Sequence, residues 1–115
     1  MPKQHVLTLE LKQDKELIRL YEQYHRPGEV WPEVLESIRA SGIESIQIYR
    51  LGTLLVMVLS VSDAFSFEVK AKIDRKNTKV QEWEKLMERF QKAQHGYSSQ
   101  VKWRPLNPLF QFHSK

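Results

Sequence analysis

The chain has no cysteine, and only four glycines and five prolines among its 115 residues. Without a thiol there is no disulfide, no thiolate metal site and no cysteine nucleophile, so any chemistry falls to oxygen and nitrogen groups. The glycines form no phosphate-cradling pattern, and no Gly-x-Ser-x-Gly elbow is present, which removes support for nucleotide and acyl chemistry. No apolar run approaches the roughly 20 residues needed to span a bilayer. Met1-Pro2-Lys3-Gln4-His5 carries no signal-peptide core. A cytoplasmic protein with no membrane partner is the expectation. Internal repeats, low-complexity tracts and flexible linkers are also missing, so residues 1–115 are expected to form a single domain.

What the sequence does contain is ordinary for a soluble globular protein: 41% apolar, 28% charged and 10% aromatic residues. The formal charge of +4 raises a nucleic-acid reading, but the basic residues are interleaved with fourteen acids. The locally basic stretch from Lys70 to Lys79 reads as a solvated helix face and loop, and no nucleic-acid partner is expected. A chain of this size buries one core but builds no deep multidomain cleft, so a closed pocket is expected to need a partner subunit.

Val6, Leu7, Leu9 and Leu11 mark a first strand from about Lys3 to Lys12. Asp14 is placed to cap a helix through Leu17, Ile18, Leu20, Tyr21 and Tyr24, which Pro27-Gly28 interrupts. Trp31-Pro32-Glu33 opens a second helix that Ser41-Gly42 stops. Ile43 to Tyr49 and Leu54 to Val61 form a hairpin around a turn containing Gly52. Asp63 is expected to cap a helix through Val69, and Val80, Trp83, Leu86, Met87 and Phe90 mark a longer one from Lys79 to about Ala93. After a loop at Gly96, Ser98 and Ser99, residues Val101 to Phe112 offer a last extended segment, with Pro105 and Pro108 at an edge or outside regular pairing. The order βαββαβ favours an α+β, ferredoxin-like sheet with helices on one face. Two such sheets can bury their bare faces against each other.

The most informative stretch runs from Tyr21 to Leu35. Tyr21 and His25 stand four apart on one helix face, and Pro27 carries the chain away, leaving His25 near a helix end where it can face a cavity. Histidine is the side chain that both accepts and donates a proton near neutrality. By itself, a histidine beside tyrosines at a helix end is more often structural than catalytic. His5, His95 and His113 lie near a terminus or in a loop and are weaker candidates. Glu22 and His25 have the Glu-x-x-His spacing of half a di-iron site, but the second copy is missing, and no metal or organic cofactor is expected. Trp31 and Trp83 supply large rigid surfaces suited to the apolar face of a sugar; Trp83 equally fits a core stripe. Arg26 and Glu29 are able to bind hydroxyls, although solvated charges are the commoner outcome.

Tyr-x-x-x-His-x-x at Tyr21 and His25, followed by Trp31-Pro32-Glu33, resembles the L-rhamnose mutarotases. The likeness continues through Ser41-Gly42-Ile43, Ile48-Tyr49, Leu55-Val56, the helix from Gln81 to Met87 and the terminal Leu109-Phe110. It implies a dimeric α/β barrel made from two ferredoxin-like subunits, with His25 as the acid-base residue and Tyr21 and Trp83 in the pocket. It further implies a cofactor-free isomerase that opens and recloses a deoxyhexose ring, with L-rhamnose or L-fucose as the sugar. Glu84 stands where the family has a second tryptophan, Ile46 where rhamnose enzymes can carry tyrosine, and Asn107-Pro108 where the terminal pattern is more acidic. These departures bear on the identity of the sugar. The alternative is a small dimeric α/β-barrel monooxygenase or haem-degrading protein, which rests on fold analogy alone. An RNA-recognition module shares the element order, but the strand Leu54 to Val61 has no aromatic residue on which to stack a base.

Overall fold

The computed structural model describes residues 3–92 and 103–114. Strand β1 (Lys3–Glu10) leads into α1 (Lys15–Tyr24) and α2 (Pro32–Ala40); the hairpin β2 (Ile43–Leu51) and β3 (Leu54–Val61) follows. Then come α3 (Phe67–Lys76), α4 (Thr78–Met87) and a two-residue β4 (Arg104–Pro105). The sheet order β2-β3-β1-β4, antiparallel throughout, is that of a ferredoxin-like α+β fold in which each crossover is broken into two helices.

Local chemistry sets the boundaries. The Asp14 carboxylate accepts from the Glu16 and Leu17 N–H groups and starts α1 as expected. Gly52 turns the hairpin at φ +61°. Gly42, at φ +95°, ends α2 where an added Cβ would meet the Ser62 Oγ at 2.8 Å, so only glycine fits. Asp63 does not cap α3. It lies in a turn closed by the Phe65 N–H donating to the Ser62 carbonyl, and the helix waits for Ser66, whose Oγ accepts from the Val69 N–H. Asn77 then stops α3 in an extended conformation and caps α4 through the Val80 N–H. The last helix is shorter than its apolar spacing suggests, because turns replace it from Glu88 to Phe90 and Gln91 bridges Leu11. The final extended segment shrinks to Arg104–Pro105, since Pro105 sits on the sheet edge where its missing N–H costs no ladder bond. The end of that helix at Ala93, the glycine-serine loop, His95 and the start of the last segment lie outside the described residues.

Ladder partners share a face of the sheet, and the register therefore sorts the side chains. Leu7, Leu9, Leu55, Leu59 and Val61 turn toward the helices and are almost fully buried, joined by Trp83, Met87 and Phe90 from α4 and the turn after it. Glu44 is an extra residue in β2, a bulge between Ile43 and Ser45 that lets both Ile43 and Ile46 face the helices despite their odd spacing. On the opposite face, Val6 pairs with Val58 and Thr8 with Val56. No described helix covers them.

Candidate active site

Helix α1 ends at His25, which takes the C-cap position with φ −102° and ψ 6°. Its ring stacks on that of Tyr21, one turn earlier, with centroids 4.2 Å apart and 28° between planes. The His25 Nδ1 is 2.7 Å from the Tyr21 carbonyl oxygen. A carbonyl only accepts, so Nδ1 carries the proton, and in the neutral ring Nε2 holds the lone pair. Burial pushes the His25 pKa below its usual 6.5, and the bond to the Tyr21 carbonyl opposes this only in part. The ring is therefore neutral at pH 7, a base with a defined tautomer. Burial also pushes the Tyr21 phenol upward, so its hydroxyl stays protonated through the neutral range.

Trp83 arrives from α4 and meets His25 edge-on, with centroids 5.6 Å apart. Trp31 and Tyr24 support Trp83 in the same edge-to-face manner at 5.2 and 6.2 Å. The cluster flanks a cavity of about 830 Å³, within the range of small-ligand sites. Tyr21, His25 and Trp83 form one wall, α2 contributes Val34 and Ile38, and Ile46, Ile48 and Met57 form the floor on the sheet. Trp31 stands behind Trp83 and reaches the cavity only through it.

Other charged residues have different roles. Glu22 pairs with Arg50 at 3.2 Å, and Arg26 and Glu29 stay in solvent. His5 packs edge-on against Phe67 at 5.0 Å, away from the cavity. Among the described residues no group of three His, Asp or Glu side chains converges where a metal ion could sit. Behind the cavity, the buried Asp74 joins α3 to α2, accepting from the Ser37 Oγ and from the Lys70 Nζ, each at 2.6 Å. The bulge residues Glu44 and Ser45, and also Gln91, line the cavity in addition to the residues expected there. The break in β2's two-residue alternation between Ile43 and Ile46 was the available signal for the bulge. A glutamine after a helix leaves no such trace.

A cavity on a ferredoxin-like sheet, walled by aromatics and holding a neutral histidine, defines a small-ligand site equipped for proton transfer. The family of L-rhamnose mutarotases matches residues 4–112, and the chain belongs to it. Mutarotases are isomerases acting at the anomeric carbon. An L-fucose mutarotase from Xanthomonas campestris is 43% identical over 103 residues, covering 90% of this chain and 82% of its own length. A Dictyostelium discoideum protein is 37% identical over 90 residues, or 77% of this chain and 70% of its own. The crystal structure of an L-rhamnose mutarotase from Formosa agariphila superposes with a TM-score of 0.69 at 16% identity, over 96% of this chain and 99% of that one. The last similarity bears on the fold alone. Among the described residues no helix is long and apolar enough to cross a membrane.

Proposed function

We propose that this single-domain protein interconverts the α and β pyranose anomers of a 6-deoxy-L-hexose, L-fucose or L-rhamnose, using His25 as the acid-base group. The observation that carries this reading is the neutral His25 ring on the cavity wall, its Nδ1 committed to the Tyr21 carbonyl and its Nε2 left basic. Nε2 takes the proton of the anomeric hydroxyl as the bond from C1 to the ring oxygen breaks, and the ring oxygen gains a proton. The open aldehyde turns about its C1–C2 bond. Reclosure on the other carbonyl face returns both protons, so no atom is lost or gained. Tyr21 is the candidate donor to the ring oxygen. Burial disfavours its phenolate, but an imidazolium stacked at 4.2 Å offsets that charge as it forms. Trp83 offers a flat surface to the sugar, and Trp31 steadies it from behind. The 43% identity to an L-fucose mutarotase favours L-fucose.

The active form in this proposal is a cytoplasmic homodimer. Its support is the sheet face that no described helix covers, where Val6, Val56 and Val58 are only half buried and Tyr49 is 57% exposed. Strand β3 is apolar on both faces, as a strand covered on both sides would be.

Saturation-transfer NMR on equilibrated L-fucose and L-rhamnose tests the activity directly. Purified protein is expected to accelerate α–β exchange of at least one sugar. Exchange at the uncatalysed rate for both, and for related deoxy sugars, would overturn the reading.

A further inference from the structure

Gln91 is a polar group on the cavity wall that the proposed chemistry does not use. It directly follows Phe90, which is 1% exposed and meets the Tyr21 ring edge-on at 6.0 Å. The backbone on either side is pinned: the Lys12 N–H donates to the Phe90 carbonyl and the Lys92 N–H to the Glu10 carbonyl, both at 2.9 Å. The Gln91 side chain thus leaves a fixed backbone and lines the same cavity as Tyr21 and His25. Its Oε1 is buried with no hydrogen-bond partner among the described residues.

Buried polar atoms are normally satisfied, and a buried acceptor left without a donor carries its full desolvation penalty. An apolar side chain of the same length would fill this space without that penalty. Of the other residues lining the cavity, Trp83 offers no acceptor to a sugar hydroxyl and Met87 only a weak one. A ligand hydroxyl would complete the missing bond, and because a hydroxyl both donates and accepts, it satisfies either orientation of the amide.

We infer that Gln91 is a specificity-determining residue whose side-chain amide binds one ring hydroxyl of the sugar and so sets which ring carbon faces His25. This rests on the mutarotase reading of the site. L-Fucose and L-rhamnose differ in configuration at C2 and C4, so a single anchored hydroxyl can separate them. Gln91 acts by positioning, with the proton transfers left to other groups.

The test is Gln91→Met, with Gln91→Leu as a second apolar replacement should the first fold poorly. Affinity is read by ligand-observed NMR titration of L-fucose and L-rhamnose, alongside KM and kcat for anomer exchange and the Tm. Loss of one hydrogen bond predicts about tenfold weaker binding of the preferred sugar and at least a tenfold fall in kcat/KM, since a sugar that is no longer anchored also presents the wrong carbon to His25 part of the time. The Tm is expected to hold or rise, because the unpaired acceptor is gone. Across monodeoxy analogues of the preferred sugar, the tenfold gap between wild type and variant should close for the one analogue that lacks the anchored hydroxyl. Unchanged affinity, or an equal gap for every analogue, would overturn the inference. If the wild type binds the sugar without accelerating exchange, the mutarotase reading fails, while the affinity comparison still decides the role of Gln91.

Discussion

The two faces of the sheet are built from similar residues and have opposite fates. Toward the helices, Leu9, Leu55 and Val61 are at most 1% exposed, and the same face floors the cavity. On the other side Val6, Val56 and Val58 are partly open to solvent, while Thr8 is buried, its Oγ1 donating to the Leu55 carbonyl at 2.9 Å. One face is finished within the chain, and it carries the candidate chemistry. The other is largely apolar, and no described helix covers it.

Four changes sharpen that contrast, in descending order of effect. His25→Ala on the finished side is expected to slow anomer exchange by about 10²- to 10⁴-fold, read by saturation-transfer NMR, with the far-UV circular dichroism retained. Full activity in this variant would assign the proton transfer to another group. Leu9→Ala, a cavity in the helix-side core, should cost about 2–5 kcal/mol in denaturant unfolding. Val58→Lys on the open face tests the opposite outcome: sedimentation should read twice the subunit mass for wild type and a single folded subunit for the variant. A wild-type monomer would break the comparison, leaving the bare face without a function. The smallest effect concerns pH. The His25 pKa in the folded protein lies below 6.5, so exchange activity should stay level as pH falls from 7 through 6.5 and decline only below that. Stability follows the same sign. The unfolded histidine takes up its proton around pH 6.5 while the folded one resists, so the stability present above pH 6.5 is lost as pH falls toward the folded pKa. A stability rise on acidification through that window would contradict a buried neutral His25.

Much of the fold is legible in local patterns. The β3 range Leu54–Val61, the Asp14 cap and the breaks at Pro27-Gly28 and Ser41-Gly42 follow from apolar runs, capping chemistry and glycine geometry. Asp63 and Ser66 show where such patterns mislead. Both are good caps, three residues apart, and the choice falls to Ser66 because the turn from Ser62 to Phe65 occupies Asp63 and seats Phe65 against the core. The candidate site divides in the same way. Tyr21 and His25 meet because they are four residues apart on one helix, a local relation. Trp83 equally fits a core stripe and a pocket wall, and the structure has it serve as both.

The sequence by itself determined the element types, the tyrosine–histidine pair at the end of α1 and the family resemblance, since each depends on short-range spacing or on a contiguous motif. Only the tertiary structure decided that Trp83 packs against His25, that the bulge at Glu44 turns Ile46 into the cavity floor, and that the buried Gln91 oxygen has no hydrogen-bond partner among the described residues. Those facts depend on sheet register and on contacts between segments distant in the chain, where burial and hydrogen-bond satisfaction are set by the whole fold and no local pattern encodes them.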